Sequence, residues 1–186
     1  MSAPFPLDLP ATTAVYLCLY VVTLALHVVF MSYSLGGACY LALAALRPGG
    51  TVSPCERTAR GVLVDWLPFS LGLTITAGVG PLLFVQILYQ KAFYTANLLL
   101  FHRWMMIVPV LIVGFYLLYL IKSDYAQARP WLWRGACIGA FLCFAFVAWS
   151  WTENHLLSTD PRAWPEMYEQ RRVVYASPLL MPRLGM

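Results

Sequence analysis

Four long runs of apolar residues, separated by short polar segments, dominate the pattern along this chain. They cover about residues 11–46, 62–90, 96–121 and 131–154. Each run is long enough for a transmembrane helix, which needs roughly 18 apolar residues. Because the hydrocarbon core offers no hydrogen-bonding partners, the backbone of such runs must satisfy itself as helix. The pattern predicts an all-α integral membrane protein, with a four-helix bundle over residues 1–155.

The chain after the fourth run differs in composition. Residues 156–186 contain Pro161, Pro165, Pro178 and Pro182 and show no helical period of useful length. Prolines spaced this closely are typical of irregular structure. We expect an irregular C-terminal tail that packs on a partner or on its own bundle, with disorder as the alternative.

The distribution of basic residues predicts the orientation. A turn at Arg47-Pro48-Gly49-Gly50, with Ser53-Pro54 after it, follows the first run, and a polar segment separates the third run from the fourth. These two connections carry Arg47, Arg57, Arg60, Lys122, Arg129 and Arg134. The positive-inside rule places them in the cytoplasm and both termini in the periplasm. We therefore expect a multi-pass protein of a bacterial inner membrane.

Composition agrees with a lipid environment and excludes several classes. Hydrophobic residues make up 61% of the chain and charged residues only 11%, whereas soluble domains contain roughly a quarter. The net charge of +4 is spread over loops, so no basic stripe indicates a nucleic-acid partner. The five cysteines form no C-x-x-C or C-x-x-C-H pattern, which disfavours redox thiols, zinc knuckles and c-type haem. The first run lacks a basic leading segment, so we expect a retained helix rather than a signal peptide.

The three histidines fall at one predicted depth. His27, His102 and His155 lie 20, 20 and 21 residues from the basic residue that ends their helix on the cytoplasmic side. At 1.5 Å per residue, each lies roughly 30 Å from that boundary. Gly78 and Gly80 reach the same level on the second helix, where they would leave room for a flat cofactor.

His27 stands out within this layer. It is the only basic residue of the first run, and it belongs to a polar stripe with Tyr20, Thr23, Met31 and Ser34. Such a stripe normally faces the bundle interior, and intramembrane ionisable residues are functional by default. The structural alternative is a hydrogen bond from His27 to another helix.

Imidazoles at matched depth on facing helices suit a haem. We predict one b-type haem near the periplasmic side, ligated by His27 and His102, with His155 as the substitute ligand. Arg103, beside His102, is then a partner for a haem propionate. His102 and His155 also lie near the expected lipid–water boundary, where a histidine needs no cofactor.

In architecture, the four spans and the histidine layer resemble the four-helix cytochrome b membrane-anchor subunits of bacterial respiratory complexes. The segment Leu35-Gly36-Gly37-Ala38 is similar to the small-residue stretch of quinone-interacting NrfD-type subunits. The resemblance implies a membrane subunit that passes electrons between a periplasmic cytochrome c and a quinone or partner subunit. Such subunits often carry four haem histidines; the three here allow at most one bis-histidine haem.

Two other functions remain open. One is a non-catalytic accessory subunit of a large membrane assembly; if that assembly bears pigments, a single histidine could instead ligate a chlorophyll. The first run favours companion subunits, because its 36 residues make a helix of about 54 Å against a hydrocarbon core of about 30 Å. The other is a three-histidine copper or zinc site, since imidazoles suit those metals. Whether the chain is an enzyme stays open, and an electron-transfer or accessory subunit is favoured over a self-contained enzyme.

Overall fold

The computed structural model describes residues 10–47, 53–172 and 174–184, and every regular element in these ranges is helical. The elements are α1 (Pro10–Leu46), α2 (Pro54–Leu88), α3 (Gln90–Leu99), α4 (Phe101–Lys122), α5 (Asp124–Gln127), α6 (Pro130–Ser158), a 3₁₀ turn (Pro161–Ala163), α7 (Trp164–Glu169) and α8 (Leu180–Leu184). By length and composition, α1, α2, α4 and α6 can each cross a membrane. The helical class and the four apolar helices are thus confirmed.

The start of α2 lies at Pro54, earlier than the predicted Val62. The side chain of Ser53 accepts the N–H of Glu56 at 3.2 Å, and proline occupies the first helical position. Ser-Pro-x-Glu is a helix-start signature, because the serine caps a free N–H and proline has none to lose. The predicted turn at Pro48, Gly49 and Gly50 lies outside the described residues.

The third run contains two helices rather than one. Leu100 separates α3 from α4 and leaves the helical region, with φ −101° and ψ 28°. Its carbonyl still accepts the N–H of Trp104 at 2.9 Å, so the interruption is a single residue. The helix predicted from residue 96 therefore begins at Phe101, after a separate helix from Gln90.

Residue contacts divide the chain into two compact units. Unit 1 contains Met1–Leu26, Ala77–Ile107 and Val147–Met186. Unit 2 contains His27–Thr76 and Val108–Phe146. Each of the four long helices contributes a segment to both units.

Unit 2 has an apolar core shared by segments of α1, α2, α4 and α6. Leu41, Leu67 and Ile121 are each 1% exposed within it. At Gly37 the close approach of α1 and α2 leaves no space for a side chain, because a Cβ atom there would lie 2.8 Å from the Cδ2 atom of Leu67. At the end of this unit, Lys122 pairs with Asp65 at 3.1 Å.

Unit 1 holds the chain after α6, where the sequence pattern predicted no helix. The structure instead forms a 3₁₀ turn and the short helices α7 and α8. Met167 of α7 is buried in a cluster with Ala96, Leu100 and Leu157. The indole N–H of Trp164 donates to the carbonyl oxygen of Leu157 at 2.8 Å. The tail therefore packs on helices of its own unit, and these contacts stabilise helices that local sequence does not specify.

Candidate functional site

His27 is half-buried on α1, and the backbone of α2 holds its ring. The Nδ1 atom lies 3.0 Å from the carbonyl oxygen of Thr74. A carbonyl only accepts hydrogen bonds, so Nδ1 carries the proton and donates it. In the neutral ring, Nε2 then keeps its lone pair. Metal-binding imidazoles in proteins are commonly fixed in this way, with the second ring N–H on a backbone carbonyl.

Three buried hydroxyl groups in unit 2 fix the partner of His27. The hydroxyl of Ser34 lies 2.9 Å from that of Ser70 and 3.0 Å from that of Thr74. Thr74 in turn donates to the carbonyl oxygen of Ser70 at 2.8 Å. Buried hydroxyls need partners, and here each one has them. The chain of hydrogen bonds joins α1 to α2 and holds the residue whose carbonyl orients His27.

The predicted polar stripe of α1 faces the protein, as expected. Ser34 is buried, and Tyr20, Thr23, His27 and Met31 are half-buried. Tyr20 and Thr23 belong to unit 1, and the other three to unit 2. The hydroxyl of Thr23 donates back to the carbonyl oxygen of Leu19 at 2.8 Å, a common way for threonine to satisfy itself within a helix.

The other two histidines lie in unit 1 and are exposed. The ring of His102 stands edge-on to that of Phe101, with the centroids 5.7 Å apart. The backbone carbonyl of His155 accepts the hydroxyl of Ser158 at 2.7 Å. Both imidazoles are therefore accessible, and their assignment as haem ligands stays a prediction.

Gly80 is a point of close helix contact within unit 1. A Cβ atom at this position would lie 3.1 Å from the Cβ and Cγ2 atoms of Thr23, so the missing side chain lets α1 approach α2. Gly78 is half-buried on the same helix. The cofactor contact predicted for these two glycines stays a prediction.

A buried polar cluster occupies unit 1 beside Arg103. The guanidinium of Arg103 pairs with the carboxylate of Glu153, whose side chain is fully buried. The second carboxylate oxygen of Glu153 accepts the backbone N–H of Tyr175. The predicted pairing of Arg103 with a propionate stays a prediction; in the structure, Glu153 neutralises this arginine.

Two further contacts complete that cluster. The side chain of Asn154, only 2% exposed, donates to the amide oxygen of Asn97 at 2.7 Å. The hydroxyl of Tyr175 donates to the carboxylate of Asp160 at 2.8 Å. Burial and this hydrogen bond raise the pKa of Tyr175. Tyr94 is exposed, and its hydroxyl donates to the amide oxygen of Gln86 at 3.2 Å.

Sequence reasoning found His27 and Ser34 but missed their partners on α2. Ser70 and Thr74 are four residues apart, so they share one helix face. That spacing was a usable signal for a polar face. The match between this face and α1 depends on the rotation of α2, which the pattern does not specify.

Comparisons with known proteins identify no family: no family model matches the chain, and no curated protein or solved structure matches it.

Across residues 10–47, 53–172 and 174–184, no group of three or more His, Cys, Asp or Glu side chains could hold a metal ion. The three-histidine copper or zinc alternative stays a prediction. The arrangement of His27 provides one oriented imidazole in an apolar helix.

Proposed function

We propose that this chain is a membrane subunit of an electron-transfer complex that binds one b-type haem, with His27 as an axial ligand. The observation that carries the proposal is the 3.0 Å contact between Nδ1 of His27 and the carbonyl oxygen of Thr74. It leaves Nε2 as the free ligand atom of a neutral ring. Four apolar helices able to cross a membrane provide the surroundings.

A haem held by imidazole supplies a one-electron carrier inside the bilayer. The residues of this chain hold and orient the ligand: Thr74 fixes the plane and tautomer of the imidazole, and Ser34 and Ser70 fix Thr74. A hydrogen bond to the far ring nitrogen also raises the basicity of the ligand atom. The second ligand is the one predicted from sequence, His102, with His155 as the substitute.

A second candidate is an accessory subunit of a larger membrane assembly, favoured by the length of α1. Its 37 residues span about 55 Å, well beyond a hydrocarbon core of about 30 Å. The N-terminal half of α1 exposes Val15, Val21 and Val22, each more than half exposed. Companion subunits, a quinone and a periplasmic cytochrome c are partners compatible with either function.

The test is the optical spectrum of the purified full chain before and after reduction with dithionite. We expect a b-type α-band on reduction, with haem and protein in equal amounts. His27→Ala is expected to lose the haem. Since that variant also removes a helix contact, His27→Met serves beside it: thioether ligation should keep haem with an altered spectrum.

Ser34→Ala is the matched control. It breaks the hydroxyl chain but leaves the imidazole, so the haem should remain bound with its ligand less firmly oriented. His102→Ala and His155→Ala then separate the two predictions for the second ligand. A reduced spectrum without an α-band would contradict haem binding and leave the accessory function. Full haem retention in His27→Ala would contradict the ligand assignment alone.

A further inference from the structure

A cavity of about 440 Å³ opens in unit 1 between the α3–α4 junction and the end of α7. Residues 98–103 form one wall, and Met167, Tyr168, Glu169, Arg171 and Arg172 form the other. Phe101 begins a helix able to cross a membrane. The cavity therefore lies at the end of a predicted span, where hydrocarbon gives way to water.

Arg171 adopts a backbone conformation that favours glycine. Its φ is 48°, the one positive value for a non-glycine residue in the described ranges. The N–H of Arg172 bonds the carbonyl oxygen of Met167 at 3.2 Å, and that of Arg171 bonds the carbonyl oxygen of Tyr168 at 3.3 Å. These two bonds define a Schellman motif, and its left-handed position is normally glycine. The chain thus places a guanidinium at the cavity where glycine would be less strained.

Three arginines and one carboxylate, Glu169, line the cavity. Arg103 is neutralised by Glu153, but no ion pair among the residues that the structure describes involves Arg171. Arg172 pairs with Glu166 at 3.3 Å, and more than half of each side chain is exposed. An ion pair this exposed contributes little stability, so Arg172 can readily exchange Glu166 for a stronger partner. Arg171 and Arg172 together outnumber Glu169, the single carboxylate on the wall.

The rim of the cavity is apolar and open. Leu98, Phe101 and Tyr168 are 72%, 50% and 77% exposed. Large apolar side chains grouped around basic residues are unfavourable in water but suit the boundary of a bilayer. A soluble anion would use the arginines and leave this rim uncovered, whereas a phospholipid uses both.

We propose that this cavity binds the phosphate group of a membrane phospholipid. Arg171 and Arg172 contact the phosphate, because guanidinium groups match its geometry and charge. Leu98 and Phe101 lie against the start of the acyl chains. One wall includes His102, predicted as the second haem ligand. The phosphate contact is assigned to the opposite wall, at the α7 end of unit 1, which holds no predicted haem ligand.

The test uses the full chain, purified in detergent and stripped of lipid, with bound lipid counted by native mass spectrometry. Phosphatidylglycerol is the probe, and a glycolipid with the same acyl chains but no phosphate is its control. We expect phosphatidylglycerol to bind more tightly than the glycolipid. Arg171→Gly should weaken it about fivefold, the loss of one basic contact near a lipid phosphate, and inorganic phosphate should not displace it.

Arg171→Gly is suited to this test because glycine accepts the left-handed conformation without strain, so the variant keeps its fold. Arg162→Ala, which removes an exposed arginine of the tail outside this cavity, should leave lipid binding unchanged. Equal binding of the two lipids, unchanged affinity in Arg171→Gly, or an equal loss in Arg162→Ala would overturn the site. Displacement by inorganic phosphate would overturn the lipid assignment.

Discussion

Glu153 connects three segments of unit 1, since it lies on α6 and accepts from Arg103 of α4 and from the backbone of Tyr175. Its side chain is fully buried, and that of Arg103 is 21% exposed. Breaking a buried ion pair leaves one charge without a partner in a medium that cannot solvate it. Glu153→Gln should therefore lower the free energy of unfolding by about 3 kcal/mol, measured as a reduced Tm in detergent.

Asp65→Asn is the control for that prediction. It breaks a pair of the same kind with Lys122, but the two side chains are 64% and 46% exposed. An exposed pair contributes about 0–1 kcal/mol, so the Tm should change little. Similar losses in both variants would contradict the importance of burial at Glu153.

At the residue scale, the sequence could single out His27 but not its environment. A lone histidine in a long apolar run is visible in any hydropathy pattern. The hydrogen bond to Thr74 is not, because it joins a side chain to the backbone of a residue 47 positions away. Backbone acceptors leave no mark on the amino-acid pattern, and only the packing of α1 on α2 selects this one.

At the scale of the helices, two adjacent glycines on α1 give a sharp test of packing. A Cβ atom at Gly37 would meet the buried Leu67 at 2.8 Å, whereas one at Gly36 would meet nothing within 4 Å. Gly37→Ala should lower the free energy of unfolding by about 1 kcal/mol, the low end for overpacking. Gly36→Ala should raise it by up to about 1 kcal/mol, because alanine favours helix.

Thermal unfolding of the two variants in the same detergent measures this difference directly. The opposite signs are the expected result, since the substitutions are chemically identical and one position apart. If Gly37→Ala were as stable as Gly36→Ala, the close contact of α1 with Leu67 would be wrong.

The packing of the tail depends on a few buried side chains, above all that of Met167. This residue is 4% exposed, and truncation of a buried methionine costs about 2–5 kcal/mol. The helices of the tail are too short to persist alone. Met167→Ala should therefore release the segment and speed its cleavage by trypsin at Arg162, Arg171 and Arg172, read by mass spectrometry of the fragments.

Leu179→Ala is the matched control within the same tail, because that side chain is 54% exposed. Its cleavage rate should equal that of the unmodified chain. Fast cleavage in both variants would indicate that the tail is open regardless of Met167. Slow cleavage in both would mean that other contacts, such as the bond from Trp164 to Leu157, suffice.

At the scale of the whole chain, the sequence predicts the features that a lipid environment requires. Apolar helices follow from the need to satisfy every backbone polar group within lipid, and all four are present. The short tail helices were not predictable, because they depend on burial of Met167 and on an N–H donated to Glu153. The early start of α2 was readable from Ser53, Pro54 and Glu56, since these residues form a capping signature.

The orientation of the chain is a prediction that cysteine chemistry can test. Cys55 is exposed and follows Ser53 at the start of α2, in the connection predicted to be cytoplasmic. Cys39, Cys137 and Cys143 lie within spanning helices, where a water-soluble reagent does not reach. Cys18 is exposed in the N-terminal half of α1, a helix longer than the hydrocarbon core, so Cys18→Ser is the background of both probes. A membrane-impermeant maleimide should therefore label Cys55 in inside-out vesicles and not in intact spheroplasts.

The matched probe is Ala176→Cys in a Cys55→Ser background, because Ala176 is exposed in the tail. This cysteine should be labelled in spheroplasts. The reverse pattern would invert the protein and place the lipid cavity of unit 1 on the cytoplasmic side. Labelling of both positions from one side would contradict the three membrane crossings, by α2, α4 and α6, predicted between Cys55 and the tail.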